Sequence, residues 1–217
     1  MGYLASLFKE TYRGKTLART LFNREIGKSV KNINGIILDL GGGFKPSYER
    51  FLHTKPEKLI RVDINKNAEP DIIADLGEPL PFSDNYANSA FLFNVIYILR
   101  SPGKTLREIN RILKPGGKLF ITSPFIFNEA KEPNDYWRFT SEGLEKLLKE
   151  SGFNDYFITP VGERFSATAY LISPFLLFWR IKFLFYATAI IIDRFIPEKL
   201  KLKQPCPIGY FVEAIKS

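Results

Sequence analysis

A glycine-rich turn and two aspartates sit where a nucleoside could be held. Asp39 lies in Ile36-Ile37-Leu38-Asp39-Leu40, a short apolar run that ends in Gly41, Gly42 and Gly43. Glycines let a backbone turn tightly and approach a ligand with no side chain between. Asp63 ends the next apolar run, about twenty residues after the glycines, where a carboxylate can accept hydrogen bonds from both ribose hydroxyls. Asp75 ends a third run, Asp71-Ile72-Ile73-Ala74-Asp75. It can accept from an exocyclic amine while the amide of Leu76 meets a ring nitrogen. Together these describe a nucleoside pocket without a pyrophosphate clamp. The plain alternative is an α/β fold with solvated aspartates at its strand ends.

Other chemistries fit poorly. The dinucleotide pattern G-x-G-x-x-G lacks its last glycine, because Phe44, Lys45 and Pro46 follow Gly43. Gly14-Lys15-Thr16 mimics the end of a phosphate loop, but Lys9 stands where the first glycine belongs and no strand precedes it. One histidine (His53) and one cysteine (Cys206) leave little for a nitrogen/sulfur metal site, and none is expected. Neither a Ser/His/Asp nor a Cys/His set is available for a covalent mechanism.

The elements that must position these residues are legible as alternation. Apolar runs at 36–40, 59–63, 71–75, 89–96 and 118–122 alternate with helical stretches at 47–52, 103–113 and 141–151. Strands at 155–161 and 209–216 follow, making seven. Short apolar strands between helices predict a doubly wound, mostly parallel sheet covered on both faces. In such sheets ligands bind beyond the carboxyl ends of the strands.

Charge divides the chain differently. The 217 residues carry a net charge of +8. Residues 1–33 hold seven Lys/Arg against two Glu, and residues 160–217 hold eight against four Asp/Glu. The centre is nearly neutral. Basic flanks favour contact with an anionic membrane surface over nucleic acid read by the whole protein. The N-terminal segment reads as one or two basic amphipathic helices with a weak point at Gly14, either packed on the domain edge or lying on a membrane. Residues 168–192 are the most apolar stretch, but Arg180 and Lys182 stand at its centre and Pro174 interrupts it. A basic residue at a bilayer centre costs about 2.5–3.5 kcal/mol. Two short apolar helices are expected, as a lid, a dimer face or a dip into one leaflet.

The chain resembles the class I S-adenosylmethionine-dependent methyltransferases, of the methyltransferase type 11-like subgroup. ILDLGGG, RVDI, DIIADLGEPLPFSDN, FNVIYIL and LREINRILKPGGKLFIT are similar to successive family motifs. NDYWRFTSEGLEKLL and PIGYFVEAIK are similar to one subgroup. The resemblance implies a Rossmann-like fold and S-adenosyl-L-methionine as cofactor, held by Asp39, Gly41, Gly43, Asp63, Ile64, Asp75, Leu76 and Asn94. It divides the chain into a helical segment (1–33), a core (34–161), an apolar helical insertion (162–206) and a final strand (207–217). Departures from the pattern bear on catalysis. Tyr97 and Ile98 replace a common acidic residue and histidine, Asn88 replaces an aspartate, and Ala130 stands where a histidine is usual. Tyr97, Asp135, Tyr136 and Arg138 are the acceptor-side candidates left. Arg138 could either hold an anionic acceptor or pair with Asp135. The expected activity is methyl transfer to a small or lipid-linked acceptor by a cytoplasmic protein, peripheral on the inner face of a membrane. The alternative is a non-catalytic cofactor-binding module. The oligomeric state is left open.

Overall fold

A computed structural model describes residues 3–44, 46–53, 56–130 and 134–217. Its centre is a seven-stranded sheet. The strands are β1 (Ile36–Leu40), β2 (Lys58–Asp63), β3 (Ile72–Ile73), β4 (Ala87–Phe93), β5 (Leu113–Pro124), β6 (Asp155–Val161) and β7 (Gly209–Ile215). Their order is β3-β2-β1-β4-β5-β7-β6. The first five are parallel, and β7 runs antiparallel between β5 and β6. The chain moves outward from β1 in one direction, then restarts at β4 on the other side. The gap between the ends of β1 and β4 is therefore the topological switch point, where such sheets bind ligands.

The helices are α1 (Tyr3–Tyr12), α2 (Leu17–Ser29), α3 (Pro102–Ile112), α4 (Ser141–Glu150), α5 (Arg164–Ile172), α6 (Trp179–Phe195) and α7 (Glu198–Lys203). Pro102 opens α3, where its fixed φ suits a first turn. The Thr140 side chain caps α4 by accepting from the Gly143 amide at 3.0 Å. These two helices cover one face of the sheet through Leu106, Ile109, Leu144 and Leu148. On the other face, Leu17, Leu21, Phe22 and Ile26 of α2 pack with Phe91, Phe120 and Phe211. The N-terminal basic segment is thus two helices broken at Gly14, whose φ of +74° favours glycine. The second of them is core.

Four boundaries differ from expectation for physical reasons. The helix expected at 47–52 is a single 3₁₀ turn, Glu49–Phe51, because Ser47 and Tyr48 are drawn to Asn23 and Asp39. The third strand shortens to Ile72–Ile73, since Asp71 and Asp75 accept amides of Arg61 and Gly77 instead of continuing the ladder. The fourth ends at Phe93 because Asn94 turns into the left-handed region, at φ +57°. The fifth begins earlier, at Leu113, and carries its Lys114-Pro115-Gly116-Gly117 turn as an irregularity.

The apolar segment forms α5, a short 3₁₀ turn at Ser173–Phe175, and α6. The two helices expected within 168–192 begin earlier than that apolar stretch, at Arg164, and after its proline, at Trp179. No described helix is long and apolar enough to cross a membrane. Trp179 meets Phe8 and Tyr12 of α1 edge to face, each at 5.2 Å between ring centres.

Candidate cofactor and acceptor site

Asp39 stands inside β1 with no exposed surface. Its Oδ2 accepts the Tyr48 hydroxyl at 2.6 Å, and its Oδ1 is buried with no partner. Burial pushes the Asp39 carboxyl up to about 7, partly offset by the Tyr48 hydrogen bond. The Tyr48 phenol is raised in turn, by burial and then by the neighbouring Asp39 charge. Gly42 folds directly over this carboxylate, and a Cβ there would overlap it. Gly41 turns at φ +77° and donates its amide to the Val62 carbonyl at 2.7 Å. Gly43 has φ +67° and open space where a Cβ would point.

Asp63 closes β2. Its Oδ2 accepts the Gly43 amide at 3.2 Å and its Oδ1 accepts the Asn65 amide at 2.8 Å. The aspartate of the second strand and the glycine loop of the first are therefore one unit. Ile64 follows, 62% exposed, an apolar side chain held out at a strand end. Asp75 is exposed beyond β3, with Oδ1 accepting the Gly77 amide at 2.8 Å. Leu76 is buried, and its carbonyl accepts the Thr105 hydroxyl at 2.8 Å. Asn94 donates its amide to Thr122 Oγ1 at 2.8 Å, and Thr122 returns its hydroxyl to Asn94 Oδ1 at 3.2 Å. That exchange holds the left-handed Asn94 at the end of β4.

A cavity of about 580 Å³ opens at the switch point. Gly41, Gly42, Gly43, Asn94 and Tyr97 line it from the sheet, and α2 forms the opposite wall. Asp63, Ile64, Asp75 and Leu76 do not line it. They extend the same edge beyond it. Of the four acceptor-side candidates, Tyr97 alone reaches the cavity wall. Arg138 is held by Asp135, with Nη2 at 2.7 Å from Oδ2, and also donates to the Asn128 and Trp137 carbonyls. The hydrogen bond to Asp135 raises the Arg138 guanidinium further above its ordinary range. Its cation lies 5.6 Å from the centre of the Tyr97 ring. Tyr136 is 42% exposed, and its amide donates to the Tyr97 carbonyl at 2.9 Å. Trp137 is 42% exposed and stacks on Phe139. The insertion does not line the cavity; it touches the wall through Tyr170, stacked on Phe127 at 4.9 Å.

Sequence reasoning missed Tyr48, Thr122 and the α2 wall. Residues 38–121 match the family model described as a methyltransferase domain. That part of the chain is a class I methyltransferase domain. Its cofactor is S-adenosyl-L-methionine. The chain is 34% identical over 102 residues to a ubiquinone/menaquinone biosynthesis C-methyltransferase of Vibrio cholerae, covering 39% of this chain and 39% of that protein. It is 30% identical over 127 residues to a tRNA U34 carboxymethyltransferase of Campylobacter curvus, covering 52% of this chain and 40% of that one. The chain thus spans about two fifths of the length of these curated relatives. A solved S-adenosylmethionine-dependent methyltransferase from Archaeoglobus fulgidus superposes with a TM-score of 0.63 at 20% identity, over 97% of this chain and 98% of that one. The two share the fold described above.

The residues present fit the cofactor. Two carboxylates lie under and beside a loop that only glycine could make, and one buried carboxylate oxygen has no partner. An acceptor of that kind suits a ligand bearing an ammonium and ribose hydroxyls.

Proposed function

We propose that the protein transfers a methyl group from S-adenosyl-L-methionine to a small or lipid-linked acceptor at a membrane surface. One observation carries the transfer. The cofactor-type residues of four adjacent strands share one sheet edge, beside a cavity with room for a second ligand. When bound, the cofactor supplies a methyl on a positively charged sulfonium. This chain supplies placement and exclusion of water, which is most of what such a transfer needs. Asp63 would hold the ribose, Asp75 and Leu76 the adenine, and Asp39 with the Asn94 turn the amino-acid end. Tyr97 is the group placed to orient an acceptor or hold its proton. Asp135 and Arg138 act as positioning residues, since they are joined to each other and brace the loop against Tyr97.

A relative named for quinone biosynthesis supports a lipid acceptor, and one named for tRNA modification makes RNA the competing class. Calorimetric titration with S-adenosylhomocysteine tests the cofactor site. Binding is expected in the micromolar range, and Asp63→Asn, which keeps an acceptor for the Gly43 and Asn65 amides, should weaken it at least tenfold. No heat at millimolar ligand in the wild type would remove the assignment. Tritiated methyl transfer is then read in a membrane-lipid extract and in bulk tRNA. Label in the lipid fraction is expected. Silence in both, with cofactor binding intact, would point to a non-catalytic binding module.

A further inference from the structure

The α2 wall of the cavity carries charge that the cofactor does not account for. Arg13, Lys15 and Arg19 line the cavity, and no carboxylate does among its lining residues. Glu10 lies behind them. It pairs with Arg50 at 2.8 Å and approaches Arg13 at 4.0 Å. Burial would push the Glu10 carboxyl up, but the Arg50 hydrogen bond and the charges of Arg50, Arg13 and Lys15 leave it below its ordinary value. Among the described residues, Lys15 and Arg19 have no ion pair. Lys15 donates only its amide to Glu10, and the Arg19 amide is taken by the Thr16 cap at 3.2 Å. Both cations stand at the positive end of a 13-residue helix. One turn further on, Asn23 is 5% exposed and lines the same cavity. Its Oδ1 accepts the Ser47 hydroxyl at 3.0 Å, and its Nδ2 is a buried donor with no acceptor. An orphan donor at a wall with two unpaired cations is a site for an anion.

The methyl donor cannot be that anion in full. It brings one carboxylate against an ammonium and a sulfonium, so it enters as a net cation. With it bound, the chamber is more positive than before, and a second ligand is favoured in proportion to its negative charge. Resting on the methyltransferase reading above, we propose that the acceptor bears a phosphate or diphosphate, bound by Lys15, Arg19 and Asn23 Nδ2 at the start of α2. Phosphate suits the wall better than carboxylate, because an ammonium, a guanidinium and an amide line one cavity and a tetrahedral anion has oxygens enough to accept from all three.

The test uses the full chain, with inorganic pyrophosphate and farnesyl phosphate as probes and farnesol as the uncharged control. Titrations are run with and without saturating S-adenosylhomocysteine. Both phosphates should bind, and saturation with S-adenosylhomocysteine should weaken neither by more than about twofold. Farnesol should bind at least tenfold more weakly than farnesyl phosphate. Lys15→Gln with Arg19→Gln should weaken pyrophosphate at least tenfold, Asn23→Leu about three- to tenfold, and S-adenosylhomocysteine less than threefold. Preference for farnesyl phosphate over pyrophosphate identifies a lipid source of the anion; equal binding identifies a soluble one. Mutual exclusion of pyrophosphate and S-adenosylhomocysteine in the wild type would assign the cations to the donor's carboxylate and overturn the proposal. So would absence of pyrophosphate binding at low salt. If S-adenosylhomocysteine fails to bind the wild type, the methyltransferase reading falls, while the pyrophosphate titration without it still decides the anion site.

Discussion

Asp39 titrates where cells operate. Burial lifts its carboxyl to about 7 in the folded protein, against 3.8 ordinarily. Between those values the folded protein keeps a proton that the unfolded chain has lost. Stability of the free protein should therefore fall as pH rises from about 4 to about 7, then level off, a loss on the order of 4 kcal/mol. Asp39→Asn cannot lose that proton and should flatten the profile in urea titrations at pH 5 and 8. The same ionisation makes the carboxylate that a cofactor ammonium would meet, so wild-type affinity for S-adenosylhomocysteine should rise across pH 7 and that of Asp39→Asn should not. A wild-type stability as flat as the variant's would refute both expectations. Asp39, Asp63 and Asp75 were legible because strand-end carboxylates after apolar runs repeat at a spacing that sequence displays. Tyr48 was not. Nothing in Pro46-Ser47-Tyr48-Glu49 marks an inward tyrosine, and the pairing depends on the loop turning back over β1. Pairing of Arg138 with Asp135 was one of two readings the residues left open, whereas Arg138's further bonds to two carbonyls carried no signal.

Elements joined by distant side chains are the part that sequence conceals. Asp193, near the end of α6, accepts the amides of Phe165 at 2.9 Å and Ser166 at 3.0 Å, which open α5. It is 8% exposed, and a carboxylate on helix N-terminal amides is a strong cap. One helix of the insertion thus closes the other across 27 residues. Removing the carboxylate in Asp193→Ala should cost about 2–4 kcal/mol. Amide exchange at Phe165 and Ser166 should accelerate more than exchange in β4 and β5. Uniform acceleration across the sheet would mean that the insertion is not a separate cooperative unit. The five parallel strands were legible because buried parallel strands are near-continuous apolar runs. The insertion's apolar content was legible as well, but α5 begins at Arg164 because Glu163 and Asp193 cap it there, and periodicity carries no such signal. The 3₁₀ turn after the glycine loop escaped for the converse reason, since tertiary bonds to Ser47 and Tyr48 override a weak local helix preference.

Across the whole molecule, apolar and basic surface coincide. Phe175, Leu177, Phe178 and Phe195 are each at least 68% exposed, on or beside α6. Arg180, Lys182, Arg194, Lys199 and Lys203 are spaced among and after them. That many large exposed apolar side chains at the two ends of one helix mark a contact surface. The interspersed cations favour an anionic bilayer over a second copy of the same positive surface, which would repel itself. Each Phe or Leu that enters the interface adds about 1.5–3 kcal/mol, and each basic residue near an anionic leaflet about 1 kcal/mol. Vesicles containing phosphatidylglycerol should therefore pellet the protein at low salt, and pelleting should weaken as salt screens the charges. Phe175→Ser, Leu177→Ser and Phe178→Ser together should reduce binding at least tenfold while leaving S-adenosylhomocysteine affinity unchanged, because none of the three lines the cavity. Failure to pellet, with dimerisation in sedimentation analysis that the triple variant abolishes, would assign the surface to a second copy instead. Binding to neutral vesicles as strong as to anionic ones would leave the basic flanks without a membrane role and would return their charge to the cavity wall, where Lys15 and Arg19 have no ion pair among the described residues.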